Sequence, residues 1–279
     1  MDSVYDIVKK GYEERYFAEK ITDSHSNLNS IQEFDGGPNG KGLAGNLITY
    51  GWSETSCGNS NYYLVKDKNT EQIASFFSIK CGLLYEPFGY ENLESDDRDF
   101  VDLLIDAIIQ DDKKLLTDYE ASGMYTIDKF QELYENALDV IEARKSKKES
   151  GSINVKSTYS AIEVQNLCRN HLYSKPEDIK APIGLQTFWF SIVPLIEKVA
   201  SLVGCKYVYL FAADQSDSCQ LVEYYKNRWG FVSLADLSLS VIRPKYDFQC
   251  FEMYTSVKKL MDYQKIIWDQ YADVYGFYE

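Results

Sequence analysis

The stretch from Tyr159 to Phe231 constrains the fold of this chain more than any other. Ala161–Cys168 reads as a strand, with β-branched and apolar residues in close succession. A loop from Arg169 to Ile183 follows, and a long helix opens at Gly184, Leu185, Gln186 and Thr187. A second apolar strand, Lys206–Ala212, leads to a second helix carrying Leu221–Lys226, and the segment ends in Gly230 and Phe231. Strand, helix, strand in that order predicts a right-handed crossover between parallel strands. A helix whose first turn follows a strand and contains glycine offers free backbone N–H groups and the positive end of its dipole to an anion. The pattern therefore points to a phosphate-bearing cofactor.

The remaining segments set the frame. Residues 3–22 read as a helix, with Val4, Ile7, Val8, Tyr12 and Phe17 near one stripe. Residues 33–60 are rich in Gly, Asn and Ser, and Gly36, Gly37, Pro38, Asn39 and Gly40 predict loop and turn. Asn61–Lys66, a turn at Asp67–Thr70, and Ile73–Tyr85 read as a β-hairpin. Residues 91–150 change character: Phe100, Leu103, Leu104, Ala107 and Ile108, then Phe130, Leu133, Leu138 and Ile141, give helical spacing on acidic segments. Gln249–Ser256 reads as a last strand and Asp262–Tyr278 as an aromatic helical tail, with a loop around Pro244 between strands. The expected fold class is α/β with a mixed central sheet flanked by helices. Its expected organisation is one domain over 1–262, with a helical insertion at 91–150, and a helical tail at 263–279.

Composition narrows the function. With 279 residues and 45% hydrophobic content the chain can bury a sizeable core. A net charge of −14 repels nucleic acid and anionic membranes, so neither is an expected partner. The basic run Arg144–Lys148 reads as a solvated helix end. No apolar stretch of transmembrane length is expected, because Pro194, Glu197 and Lys198 interrupt Phe188–Val203. Six cysteines without a CxxC pair, and no signal-like start, predict free thiols and a cytoplasmic protein. With only His25 and His171 present, neither a multi-histidine metal site nor a histidine-based triad is expected, and no metal is expected.

These residues resemble the GNAT superfamily of acyl-CoA N-acyltransferases. Tyr62–Tyr85 looks like that family's second and third strands, Ala161–Cys168 like its fourth, and Gly204–Leu210 like its fifth. Tyr224 and Tyr225 with Gly230 and Phe231 resemble its Phe-Tyr…Gly-Phe signature, and Cys250–Lys259 its closing strand. The likeness covers about 61–90 and 155–260. The pyrophosphate loop departs from the family pattern. Lys180–Gln186 keeps one glycine, Gly184, and Pro182 stands where the first would be. Proline brings no N–H to a phosphate, and Lys180 offers a point charge instead. Where the family has Asn before the last helix, this chain has Ser218, with Ser216 and Asp217 as alternative caps. Segment 34–60 also looks like the N-terminal part of toxin–antitoxin relatives, which acylate aminoacyl-tRNA.

The resemblance implies an N-acetyltransferase using acetyl-CoA as co-substrate. Two central strands splay, and the pantetheine arm pairs with backbone groups of Leu167, Cys168 and Arg169. The diphosphate sits on N–H groups of Gly184, Leu185, Gln186 and Thr187. Glu163 is the general-base candidate, since a mid-strand carboxylate is costly unless used or paired. Alternation puts Glu163, Gln165 and Leu167 opposite Ile162, Val164 and Asn166. Asp214 is a second carboxylate, more naturally a helix cap. Tyr225, or its neighbour Tyr224, is the proposed acid toward the leaving thiolate. Cys168 and Cys205 read as small buried hydrophobes. The expected acceptor is a small-molecule or peptide amine. A catalytically degenerate binding protein and a toxin-like enzyme on charged tRNA are the alternatives.

Overall fold

The computed structural model describes residues 3–87, 93–150, 155–214, 216, 218–234, 239–242, 250–270 and 274, without the side chains of 146–150. In chain order the elements are α1 (Val4–Arg15), β1 (Tyr16–Lys20), α2 (Asn27–Ser30), α3 (Gly37–Ser56), β2 (Asn61–Asp67), β3 (Ile73–Glu86), α4 (Ser95–Ile109), α5 (Lys113–Ala121) and α6 (Ile127–Ser150). Then come β4 (Ser157–Arg169), α7 (Ile183–Thr187), α8 (Val193–Val203), β5 (Tyr207–Ala212), α9 (Gln220–Trp229), β6 (Val232–Ser233), β7 (Ser240–Val241), β8 (Phe251–Ser256) and α10 (Val257–Gln270).

The chain divides into two compact units. The first comprises Met1–Leu83, Tyr159–Ser233 and Pro244–Glu279. The second comprises Leu84–Thr158 and Leu234–Arg243. The second unit holds the helices expected between the third and fourth strands. α4 and α6 bury Phe100, Val101, Leu104, Ile105, Leu133 and Ala137 against each other. Lys129 bridges to Asp97 at 3.1 Å, and β7 pairs antiparallel with the end of β3 at Leu84 and Tyr85.

The first unit holds a mixed sheet. Strand order is β1-β2-β3-β4-β5-β8-β6. β1 pairs with β2 and β2 with β3, both antiparallel. β4 runs parallel to β5, and β8 closes antiparallel on β5. The expected hairpin is therefore strands two and three, and the expected parallel crossover joins strands four and five. One face packs a large core through Val65, Phe77, Ile162, Val164, Val208, Leu210, Phe188, Trp189 and Trp268. The other face carries a smaller core of Ile21, Phe34, Leu47, Tyr62, Leu64, Phe76 and Cys168.

Four expectations need correction. Residues 3–22 are not one helix: α1 ends at Arg15 and Tyr16–Lys20 form an edge strand. Phe17 lies in that strand, and Ile7 is half-exposed. Residues 37–56, expected as loop, form a 20-residue helix with Pro38 in its first turn. Its buried positions are Gly40, Ala44, Leu47, Gly51 and Thr55, at helical spacing. The small residues let α3 lie close against the sheet. A Cβ at Gly40 would sit 2.6 Å from the Cys168 sulfur, and one at Gly51 would press on Ile21, Leu47 and Tyr62. The aromatic tail begins earlier than expected, at Val257, and α10 buries Leu260, Ile267 and Trp268 in the large core.

The fourth correction concerns the cofactor-type helix. Ile183–Val203 is a continuous 21-residue helical run with mean hydropathy 1.2, long and apolar enough to cross a membrane by length and composition. Its apolar residues are spent on the core: Phe188, Trp189, Ile192, Val193 and Ile196 are buried. Pro194 is accommodated by a π-helical turn over Phe188–Ile192. The wider turn lets Val193 donate to Phe188 O, five residues back, just before the proline that offers no N–H of its own. The loop around Pro244 and Asp217 lie outside the described residues.

Candidate active site

β4 and β5 stay together for three residue pairs only. Ala161 faces Tyr207, Ile162 faces Val208, and Glu163 faces Tyr209. Beyond that point β4 continues to Arg169 and β5 to Ala212 without pairing to each other, while β5 remains bonded to β8 through Ala212. The two strands thus open into a cleft whose apex is the Glu163–Tyr209 pair. Backbone N–H and C=O groups from Val164 to Arg169 that turn toward β5 lack a strand partner there, and such groups call for a ligand or water.

The alternation of β4 breaks at the same place. Val164 lies in the large core with Leu167 packed against it. Cys168 lies in the smaller core on the opposite face. Asn166 donates to Ser78 Oγ at 2.7 Å and to Tyr62 OH at 3.3 Å, also on that opposite face. Glu163 meets Lys80, which shares a face of β3 with Ser78. Glu163 and Asn166 thus point the same way although three residues apart. Strict alternation, which groups Asn166 with Val164, does not hold at this position.

Glu163 is 2% exposed, at the centre of the sheet. Its Oε2 accepts from the Tyr209 hydroxyl at 2.9 Å and lies 3.3 Å from Lys80 Nζ. Its Oε1 is buried with no hydrogen-bond partner. Adjacent strands β3, β4 and β5 hold the three side chains. A Cβ at Gly82 would lie 2.4 Å from the Tyr209 hydroxyl, so this close approach requires glycine. A buried carboxylate must be paired or hydrogen-bonded; here one oxygen is doubly partnered and the other is left over.

Farther along β4, a cavity of about 270 Å³ is lined by Asn46, Tyr50 and Glu54 of α3, Tyr62 of β2, and Gln165 and Asn166. Its walls are polar: Ser60 donates to Gln165 Oε1 at 2.7 Å. Burial, then the Glu54 charge, pushes the Tyr62 phenol up, so it stays protonated as a donor. The α3 residues of this cavity fell in the segment read as loop. Asn46, Tyr50 and Glu54 recur every four residues, and that spacing was the available signal.

The helical run Ile183–Val203 starts with α7. Pro182 caps it without a side-chain bond. Space around Gly184 is open, with nothing within 4 Å of a Cβ built there. The side chains of Gln186 and Thr187 are both bonded within the fold. The Gln186 N–H is taken by Pro182 O, its side chain donates to Ala181 O at 2.8 Å, and Thr187 Oγ1 is bonded to Ser75 at 2.8 Å. The free donors of the first turn are thus those nearest Gly184 and Leu185. The cleft edge and this open first turn suit a pantetheine diphosphate.

α9 is tied to that helix by aromatic stacking. Phe188 stacks on Trp229 at 4.1 Å, and Tyr225 stacks on the same indole at 4.3 Å. Tyr224 meets Tyr225 edge-on at 6.1 Å. Burial, with smaller contributions from Tyr224 and Asp214, raises the Tyr225 phenol well above its ordinary value. α9 is capped by Asp214 and Ser216, not by Ser218, which is exposed. Asp214 Oδ2 accepts from the N–H groups of Leu221 and Val222, and its Oδ1 from Ser216. Burial alone would raise this carboxyl. The bonds from Ser216, Val222 and Leu221 outweigh it and lower the pKa to about 2. Burial pushes the Cys168 thiol up to about 11, so it is no nucleophile at neutral pH. Among the described residues no group of His, Cys, Asp and Glu is arranged to hold a metal.

No family model matches the chain, and no curated protein matches it either. Among solved structures it is similar to AtaTR bound with AcCoA, at 11% identity over 89% of this chain and 97% of that one, with a TM-score of 0.47. AtaT complexed with acetyl-methionyl-tRNAfMet matches at 9% identity over 88% and 97%, TM-score 0.44. The KacTA–DNA complex matches at 9% identity over 88% and 96%, TM-score 0.44. A likeness this distant leaves the chemistry to be read from this chain's own residues.

Proposed function

We propose that this protein transfers an acyl group, acetyl in the simplest case, from a coenzyme A thioester to an amine by direct attack. The observation that carries the reading is the opening of β4 from β5 with the buried Glu163 at its apex. The pantetheine arm would pair with the β4 edge at Leu167, Cys168 and Arg169. The diphosphate would meet the helix start at Gly184 and Leu185. Glu163 takes the proton that the amine must lose, and Tyr225 returns one to the departing thiolate. With its phenol pushed up by burial, Tyr225 holds its proton throughout the neutral range.

The acceptor we infer is a small-molecule or peptide amine. The polar cavity with Glu54 shares the sheet face of Glu163, and the net charge of −14 draws cations. Coenzyme A release, followed with a thiol reagent against a panel of primary amines, lysine peptides and charged tRNA, tests the reading. Turnover with amines supports it. Turnover confined to charged tRNA replaces the acceptor, and no release with any of them overturns the reading.

A further inference from the structure

We propose that Lys80 is an internal acyl acceptor, so that the protein acylates itself at this side chain. The inference rests on the acyl-CoA reading above. Amine acylation needs an amine within hydrogen-bond reach of a base, beside the donor's thioester. Lys80 meets the first condition within the fold: its Nζ lies 3.3 Å from Glu163 Oε2. The lysine comes from β3, the carboxylate from β4 and its second partner Tyr209 from β5. Three adjacent strands thus hold amine and base at the cleft's apex. The Glu163 side chain is 2% exposed, whereas Lys80 keeps 28% of its side chain accessible. The amine is therefore the group a donor can reach. The buried Oε1 of Glu163, without a partner, is a second position for a proton.

The step balances without any further reactant. Lys80 gives one ammonium proton to Glu163, and its lone pair forms a C–N bond to the thioester carbonyl carbon. The C–S bond breaks, and coenzyme A leaves with the electron pair as thiolate. Of the three ammonium protons, one remains on the new amide, one ends on the coenzyme A thiol, and one is released to solvent. Acylation removes the positive charge that faces Glu163 and leaves a neutral amide in its place.

The test is to incubate the purified full chain with isotopically labelled acetyl-CoA, map the label by peptide mass spectrometry, and measure acetyl-CoA binding in parallel by calorimetry. The expected result is one label per chain on Lys80, at a rate independent of protein concentration. Labelling of Lys80 should exceed that of the exposed Lys10 in the same molecules at least ten-fold, a comparison that needs no variant. Lys80→Arg should abolish the label, and Glu163→Gln should slow it at least ten-fold. Binding without label on Lys80, or label spread evenly over surface lysines, overturns the proposal and leaves the transferase reading standing. Absence of binding overturns both.

Discussion

Two carboxylates flank the fifth strand, and the sequence offers both for the same task. Asp214, just after β5, receives four hydrogen bonds shared over its two oxygens and is held near pKa 2. Glu163, paired with the start of β5, receives its two partners on one oxygen and none on the other. The difference separates structure from chemistry. A carboxylate saturated by backbone donors is stabilised as an anion and has no capacity to take a proton at neutral pH. A buried carboxylate with one oxygen spare is expensive to keep and is the kind of group a site uses.

The sharpest way to break this comparison is Glu163→Gln. It should lower kcat/KM by about 10²-fold or more, the range of a general base, with acetyl-CoA affinity retained in calorimetry. Tyr225→Phe comes next. It keeps the stack on Trp229 but removes the acid, so a fall in kcat of roughly ten-fold or more is expected in the thiol-release assay. KM for acetyl-CoA should hardly move. Asp214→Ala should act on stability instead. Loss of the capping side chain costs about 1 kcal/mol, read as a lower midpoint in urea, with kcat little changed.

The smallest effect is in the acid limb of stability. The Asp214 pKa is depressed in the fold to about 2, below that of an ordinary aspartate near 4 in the unfolded chain. Its contribution is therefore complete above about pH 4 and is lost as pH falls toward 2. Asp214→Asn should flatten the stability curve in that window alone, as followed by circular dichroism. An unchanged acid limb in Asp214→Asn would contradict the capping role of this carboxylate.

What the sequence shows and what it hides follow from packing. β2, β3, β4 and β5 were legible because apolar β-formers run continuously between turn residues. α9 was legible from its tyrosines and the glycine after it; Gly230 has φ 69, the left-handed C-cap. α3 was hidden because Gly40 and Gly51 are there for close approach to Cys168 and Tyr62, yet glycine ordinarily signals a turn. With α3 went one wall of the polar cavity. β1 was hidden because five residues cannot show their period beside a helix. Glu163 was found from its cost in a strand, but Lys80 and Tyr209 became visible only when register placed their strands on either side of β4.

The most direct measurement is amide hydrogen exchange of the protein with and without acetyl-CoA. The account predicts that amides from Val164 to Arg169, and those at Gly184 and Leu185, gain protection on binding, while Leu221 and Val222, already bonded to Asp214, do not change. Binding that leaves the β4 edge unprotected would contradict the cleft as the coenzyme site.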